Sequence, residues 1–115
     1  MECYECSSLE ELNLYNFNTN KVTDMSDLFS KCSSLKELDI TNFNTNKVTR
    51  MNSMFNGCSS LTAINVSNFE TNRVIDMSFM FRDCSSLIKI DLQNFNTKNV
   101  NIIINNNGLS PFIKK

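Results

Sequence analysis

Histidine is absent from this 115-residue chain, and no run of 18 apolar residues occurs in it. Each absence removes a class of function. Without imidazole, a serine or cysteine nucleophile has no base partner, so triad chemistry finds no support even though Ser-Ser follows each repeated cysteine. Zinc sites want four ligands; Cys3-x-x-Cys6 is a lone pair, with no second such pair and no βαβ context for redox work. No D-x-D-x-D loop is present, so a closed Ca²⁺ cage has no scaffold. No apolar segment reaches the length of a transmembrane helix. An excess of one charge is lacking as well. Eleven Lys and Arg face twelve Asp and Glu, for a net charge of −1, and the signs are dispersed. That balance implies no preference for nucleic acid or a membrane surface. The chain reads as non-enzymatic, with no cofactor and no metal.

What the chain does have is a repeat. A 26-residue sentence begins at Cys6, Cys32, Cys58 and Cys84, which gives one domain with copies 6–31, 32–57, 58–83 and 84–109. Eight positions are the same in every copy; in the second they are Cys32, Ser33, Ser34, Leu35, Asn42, Phe43, Thr45 and Val48. A fixed period of this size is the signature of stacked coils. Within a copy the apolar period changes once. Leu38 and Ile40 alternate with Glu37, Asp39 and Thr41, which predicts a strand with one buried face. Val48, Met51, Met54 and Phe55 fall at i, i+3, i+6 and i+7, the spacing of one face of a helix or of short 3₁₀ turns, with Thr23 and Thr49 as N-caps and Asp76 standing in for them in the third copy. The expected fold is therefore α/β: a leucine-rich-repeat-like solenoid of 26-residue coils, with a parallel sheet on one face and short helical turns on the other.

The consensus CSSLxxLDLxNFNTxxVTDMSxMF, which runs from Cys6 to about Val100, resembles the repeat of the BspA-like leucine-rich-repeat surface proteins, a family that includes lipoproteins. Phe43 stands where the leucine-rich-repeat frame expects Asn, with Asn42 and Asn44 on either side, so the turn after the strand is built differently. The resemblance implies a cell-surface or secreted interaction protein, often adhesive. Met1–Glu5 holds no signal peptide. The expectation is accordingly a fragment of a longer exported protein.

Three further columns matter. The four stacked cysteines read as a ladder of small buried hydrophobes, set about 4.8 Å apart and so too wide for a disulfide. Asn42, Thr45 and their equivalents are expected to hydrogen-bond along the turn column. The fourth copy degenerates over 101–115: Asn106 and Asn107 replace Met80 and Phe81, Gly108 and Pro111 punctuate the end, and Ile113 takes the next Leu position, as a degenerate fifth strand start or a cap.

The outward columns of the predicted sheet are Glu11/Glu37/Ala63/Lys89, Asn13/Asp39/Asn65/Asp91 and Tyr15/Thr41/Ser67/Gln93. The candidate binding residues drawn from them are Tyr15, Glu37, Asp39, Asn65, Lys89 and Asp91. Tyr15 stands out as an aromatic in a small polar column. The competing reading is an ordinary solvated face whose alternation of amide and carboxylate avoids stacking like charges. Asn65-Val66-Ser67 matches a glycosylation sequon but falls in a predicted strand, and is read as chance. Phe79 is an apolar outlier on the other wall. The expected function is a non-catalytic module for protein–protein interaction or adhesion, with a protein or glycan partner on another cell or host surface. The alternative is a structural spacer within a longer array. Exposed ends add end-to-end self-association as an expectation.

Overall fold

The computed structural model describes residues 6–88 and 90–96 and the backbone of Ile113–Lys114. Its strands are two residues each: β1 (Glu11–Leu12), β2 (Glu37–Leu38), β3 (Ile90–Asp91) and β4 (Ile113–Lys114). β1 and β2 pair in parallel, Glu11 against Glu37 and Leu12 against Leu38. Parallel bridges also join Asp24 to Arg50 and Arg50 to Asp76. Equivalent residues of successive copies thus lie side by side, one coil above the next.

Most of each coil is turn. Along the second copy and into the start of the third, the N–H of Leu35, Phe43, Val48, Met54 and Cys58 returns to the carbonyl three residues earlier, at 3.0–3.3 Å. The residues that open and close these turns are Cys32 and Leu35, Ile40 and Phe43, Thr45 and Val48, Met51 and Met54, Phe55 and Cys58. All are buried. The first and fourth residues of a β-turn come close together, so both ends point into the same core.

This overturns the expected α/β leucine-rich-repeat-like solenoid with a parallel sheet and helical turns. Among the described residues there is no helix, and the third copy contributes no named strand. The reason lies in the backbone. Asp27, Ser53 and Phe79 have φ near 60°, and four residues further on Lys31, Gly57 and Asp83 have φ of 64°, 83° and 60°. A left-handed residue at the third position closes a turn and cannot continue a right-handed helix. Gly57 takes this conformation without a side-chain penalty, and a Cβ there would crowd the Lys31 backbone at 3.3 Å. With no helix to cap, Thr23 and Thr49 link coils instead: Thr49 donates its N–H to the Thr23 carbonyl at 2.7 Å. Asp76 takes the N–H of Ser78 in a local turn, as Asp24 does for Ser26.

The body is a compact globule, 34 × 33 × 19 Å with a radius of gyration of 12.8 Å. Four layers at about 4.8 Å rise no higher than that shortest dimension. The core is a set of columns. Phe29, Phe55 and Phe81 stack with centroids 5.7 and 5.6 Å apart and planes within 12°. Cys32, Cys58 and Cys84 form a second buried column. Cys58 and Cys84 donate S–H to the carbonyls of Phe29 and Phe55 in the coil before.

The register changes at the C-terminal end. β3 pairs in parallel with β4, Ile90 against Ile113, three residues short of the 26-residue offset. Ile113 therefore fills a strand slot and not the Leu slot expected for it. Cys3 of the C-x-x-C pair, Lys89, and Val100, Asn106, Asn107, Gly108, Ser110 and Pro111 of the degenerate fourth copy lie outside the described residues.

Candidate functional site

Along one corner of the coils the side chains of Asn13, Asp39, Asn65 and Asp91 repeat a single act. Each Oδ1 accepts the N–H of the residue two positions on, Tyr15, Thr41, Ser67 or Gln93, at 2.9–3.0 Å. Thr41 and Ser67 add their hydroxyls to the same oxygen at 2.6 and 2.7 Å. These are Asx turns, and amide and carboxylate make them equally well because only one oxygen is used. Asp39, Asn65 and Asp91, singled out as candidate binding residues, are exposed corner residues that also shape the backbone. The Thr41 hydroxyl, then the Thr41 N–H, hold the Asp39 carboxyl below the usual carboxylate range. Asn65 belongs to this turn and not to a strand.

Tyr15 and Gln93 carry side chains too long to fold back as Thr41 and Ser67 do. Tyr15 is 83% exposed, the most exposed large apolar side chain among the described residues. Glu37 is exposed on β2, directly beside Glu11 of β1. Like charges so placed repel, and the ion pair of Lys36 with Glu10, 3.3 Å, sits one residue away. The structure thus groups Tyr15, Glu37, Asp39, Asn65 and Asp91 along neighbouring coils; Lys89 lies outside the described residues.

Beneath this strip the coils are clamped by invariant polar residues. Asn42 Nδ2 donates to the carbonyls of Leu14, Tyr15 and Phe17 at 3.2–3.4 Å, and Asn68 repeats this one coil on with Ile40, Thr41 and Phe43. Thr19 and Thr45 are buried; each hydroxyl donates to a carbonyl of the next coil and accepts the N–H of that same residue, Asn44 or Glu70. The Asn and Thr columns therefore bond mainly to backbone across the coils. Among the described residues, side chain meets side chain across the coils at the flanking amides, Asn44 to Asn20 and Asn96 to Asn72.

On the other wall, Arg50 reaches Asp76 at 3.2 Å and lies between two aspartates in its column. Hydrogen bonds from Ser26 hold the Asp24 carboxyl low, with Arg50 adding to the effect; the Ser78 N–H and hydroxyl do the same for Asp76, again with Arg50. Position 50 is Arg and not Asp, so Asn52 has no carboxylate corner to donate to as Ser26 and Ser78 do; separately, its Oδ1 is buried with no partner. Phe79 is half-buried and lies 5.2 Å from the guanidinium of Arg82.

Sequence reasoning passed over four exposed apolar residues: Leu9, Phe17, Ile75 and Ile88. For Leu9 and Phe17 the signal was their place in the first of the four copies. Among the described residues no group of three His, Cys, Asp or Glu side chains converges on a metal position. Burial pushes the Cys58 thiol up, with Cys84 and Cys32 adding to it, and pushes the Cys84 thiol up to about 12. Neither is a thiolate at neutral pH. Among the described residues no helix is long and apolar enough to cross a membrane.

These features define a repeat protein whose coils are strings of β-turns, clamped to one another by Thr and Asn. The chain belongs to the family described as "Mycoplasma protein of unknown function, DUF285", which matches residues 2–107. No curated protein and no solved structure is significantly similar to it.

Proposed function

We propose that the chain is a non-catalytic repeat module exposed at a cell surface, part of a longer exported array, that binds a protein or glycan of another cell through the strip carrying Tyr15. The observation behind this reading is Tyr15 itself: an aromatic ring 83% exposed on a backbone corner held by Asn13 and Asn42. Tyr is enriched among binding hot spots, and the backbone that carries this ring is held by two amide hydrogen bonds. The resemblance of the repeat to the BspA-like surface proteins supports the same reading.

A second reading is a spacer with no ligand of its own. It is favoured by the use of Asp39, Asn65 and Asp91 as turn formers. One experiment separates the two. Fluorescently labelled chain is titrated onto intact epithelial cells, with unlabelled chain as competitor. Saturable, competed binding that Tyr15→Ala weakens and Thr41→Ala leaves unchanged supports the interaction module. Linear, uncompeted adsorption that is equal for both variants supports the spacer.

A further inference from the structure

The four Asx corners are built alike and differ in two groups. At each, the Oδ1 of residue 13, 39, 65 or 91 accepts the N–H two positions on. The second side-chain atom is a nitrogen in Asn13 and Asn65 and an oxygen in Asp39 and Asp91. Two positions on, Thr41 and Ser67 carry an aliphatic hydroxyl, and Tyr15 and Gln93 do not. Only the corner at Asn65 joins an amide nitrogen to such a hydroxyl. Asn65-Val66-Ser67 is also the one Asn-x-Ser/Thr of the chain.

Inside a strand this tripeptide would be a chance match. It lies instead at a surface turn: Asn65 and Ser67 are exposed, and Val66 between them is buried and anchors the turn to the core. The Ser67 hydroxyl donates to Asn65 Oδ1 at 2.7 Å and the Ser67 N–H donates to the same oxygen at 3.0 Å. Asn65 Nδ2 has no acceptor among the described residues. An amide nitrogen is a weak nucleophile because its electron pair is shared with the carbonyl. Donors on that carbonyl oxygen stabilise the charge that gathers there as the nitrogen gives up a proton. The next coil holds the turn in place, since Asn94 Nδ2 donates to the Ser67 carbonyl at 2.9 Å.

We propose that Asn65 is a glycan acceptor, its Nδ2 taking a sugar from a glycosyl diphosphate through a separate transferase. The bond from Nδ2 to the sugar C1 forms. The bond from C1 to the diphosphate oxygen breaks, and the diphosphate leaves with the electron pair. One Nδ2 proton passes to a base of the transferase. The attached sugar stands on the strip that carries Tyr15, in the coil after Asp39. This inference rests on the reading of the chain as part of an exported array.

The test reads the protein from its own cells, after surface biotinylation separates exposed from interior copies. Trypsin releases Met51–Arg73 as one peptide, and electron-transfer fragmentation in the mass spectrometer places any added mass on a residue. The expected result is surface protein with a sugar on Asn65. A single hexose identifies a nucleotide-linked donor, and a preassembled oligosaccharide a lipid-linked one. Surface protein with bare Asn65 overturns the inference and leaves the exported reading standing. Interior protein with bare Asn65 overturns both. Variants made in the same cells test the corner itself. Ser67→Ala is expected to lose the sugar and Ser67→Thr to keep it. Asp39→Asn, which places an amide nitrogen beside Thr41, is expected to gain a second sugar at position 39. A sugar that survives Ser67→Ala overturns the role given to the corner, as does a bare position 39 in Asp39→Asn when Asn65 is modified.

Discussion

Thr45 grips Glu70 from both sides: its hydroxyl donates to the Glu70 carbonyl at 3.0 Å and accepts the Glu70 N–H at 2.7 Å. One buried oxygen thus serves a donor and an acceptor of the next coil. Thr45→Val keeps the shape and removes both bonds, leaving two backbone groups unpaired at a buried point. The expected loss is about 2–4 kcal/mol, one to three for the unsatisfied groups and the rest for the bonds themselves. Thr45→Ser is expected to lose less than half of that. Urea unfolding of the three proteins checks the order; a larger loss for Ser than for Val would assign the effect to the methyl group.

Phe55 and Asn52 lie three residues apart on the same wall with opposite surroundings. Phe55 is fully buried between the rings of Phe29 and Phe81. Phe55→Ala is expected to cost about 3–5 kcal/mol. Asn52→Ala removes a buried oxygen that has no partner, so its effect on the unfolding midpoint is expected to be small and is as apt to raise it as to lower it. A large loss at Asn52 would show that its amide holds the wall.

Much of this arrangement was legible in the residues. Cys, Leu, Phe, Thr and Val recurring every 26 positions reappear as columns, and the pairing of Glu11 with Glu37 has that offset. The wall was not legible. Met51, Met54 and Phe55 have the spacing of a helical face, but the ends of consecutive β-turns are also three apart, and spacing alone does not separate the two. The deciding residues are the left-handed ones, and five of the six are Asp, Lys, Ser or Phe. Gly57 alone carried a signal. The outward strip was visible as polar alternation. Its use as a row of turn corners was not, because Asp39 and Asn65 look alike in a turn and on a solvated sheet.

Protonation offers a separate test of those corners. Asp24, Asp39 and Asp76 all have lowered carboxyl pKa values, caused first by hydrogen bonds from Ser26, Thr41 and Ser78. A group held lower in the folded state than the ordinary value of about 3.9 contributes stability fully above that value and loses it as pH falls through the lowered one. Asp39→Asn is expected to leave stability near neutral pH almost unchanged, since Asn13 and Asn65 close the same turn without charge. Below about pH 4 the variant is expected to lose less than the parent. Urea midpoints measured at both pH values decide it; parallel acid losses would remove Asp39 from the account.

The buried thiols predict a reactivity pattern. Cys58 and Cys84 are buried, donate to backbone carbonyls, and are pushed toward the neutral form. A thiol reagent at neutral pH is expected to leave both unmodified in the folded chain and to label both after urea unfolding. Peptide mass mapping reads the sites directly. Native labelling at the unfolded rate would place these sulfurs at the surface.

On the turn wall Met25, Asp27, Phe29 and Lys31, and again Met51, Ser53, Phe55 and Gly57, donate their N–H groups to carbonyls of the following coil, against two that run back, Thr49 to Thr23 and Ile75 to Thr49. The peptide groups in the majority direction add their moments, much as those of a helix do. The wall is therefore a small electrical vector, with a negative pole at the carbonyls of Asp24 to Ser30 and a positive pole at the opposite end. The two ends of the molecule differ before any charged side chain is counted. An added coil lengthens that vector, so each new layer meets the same polarity as the one before it.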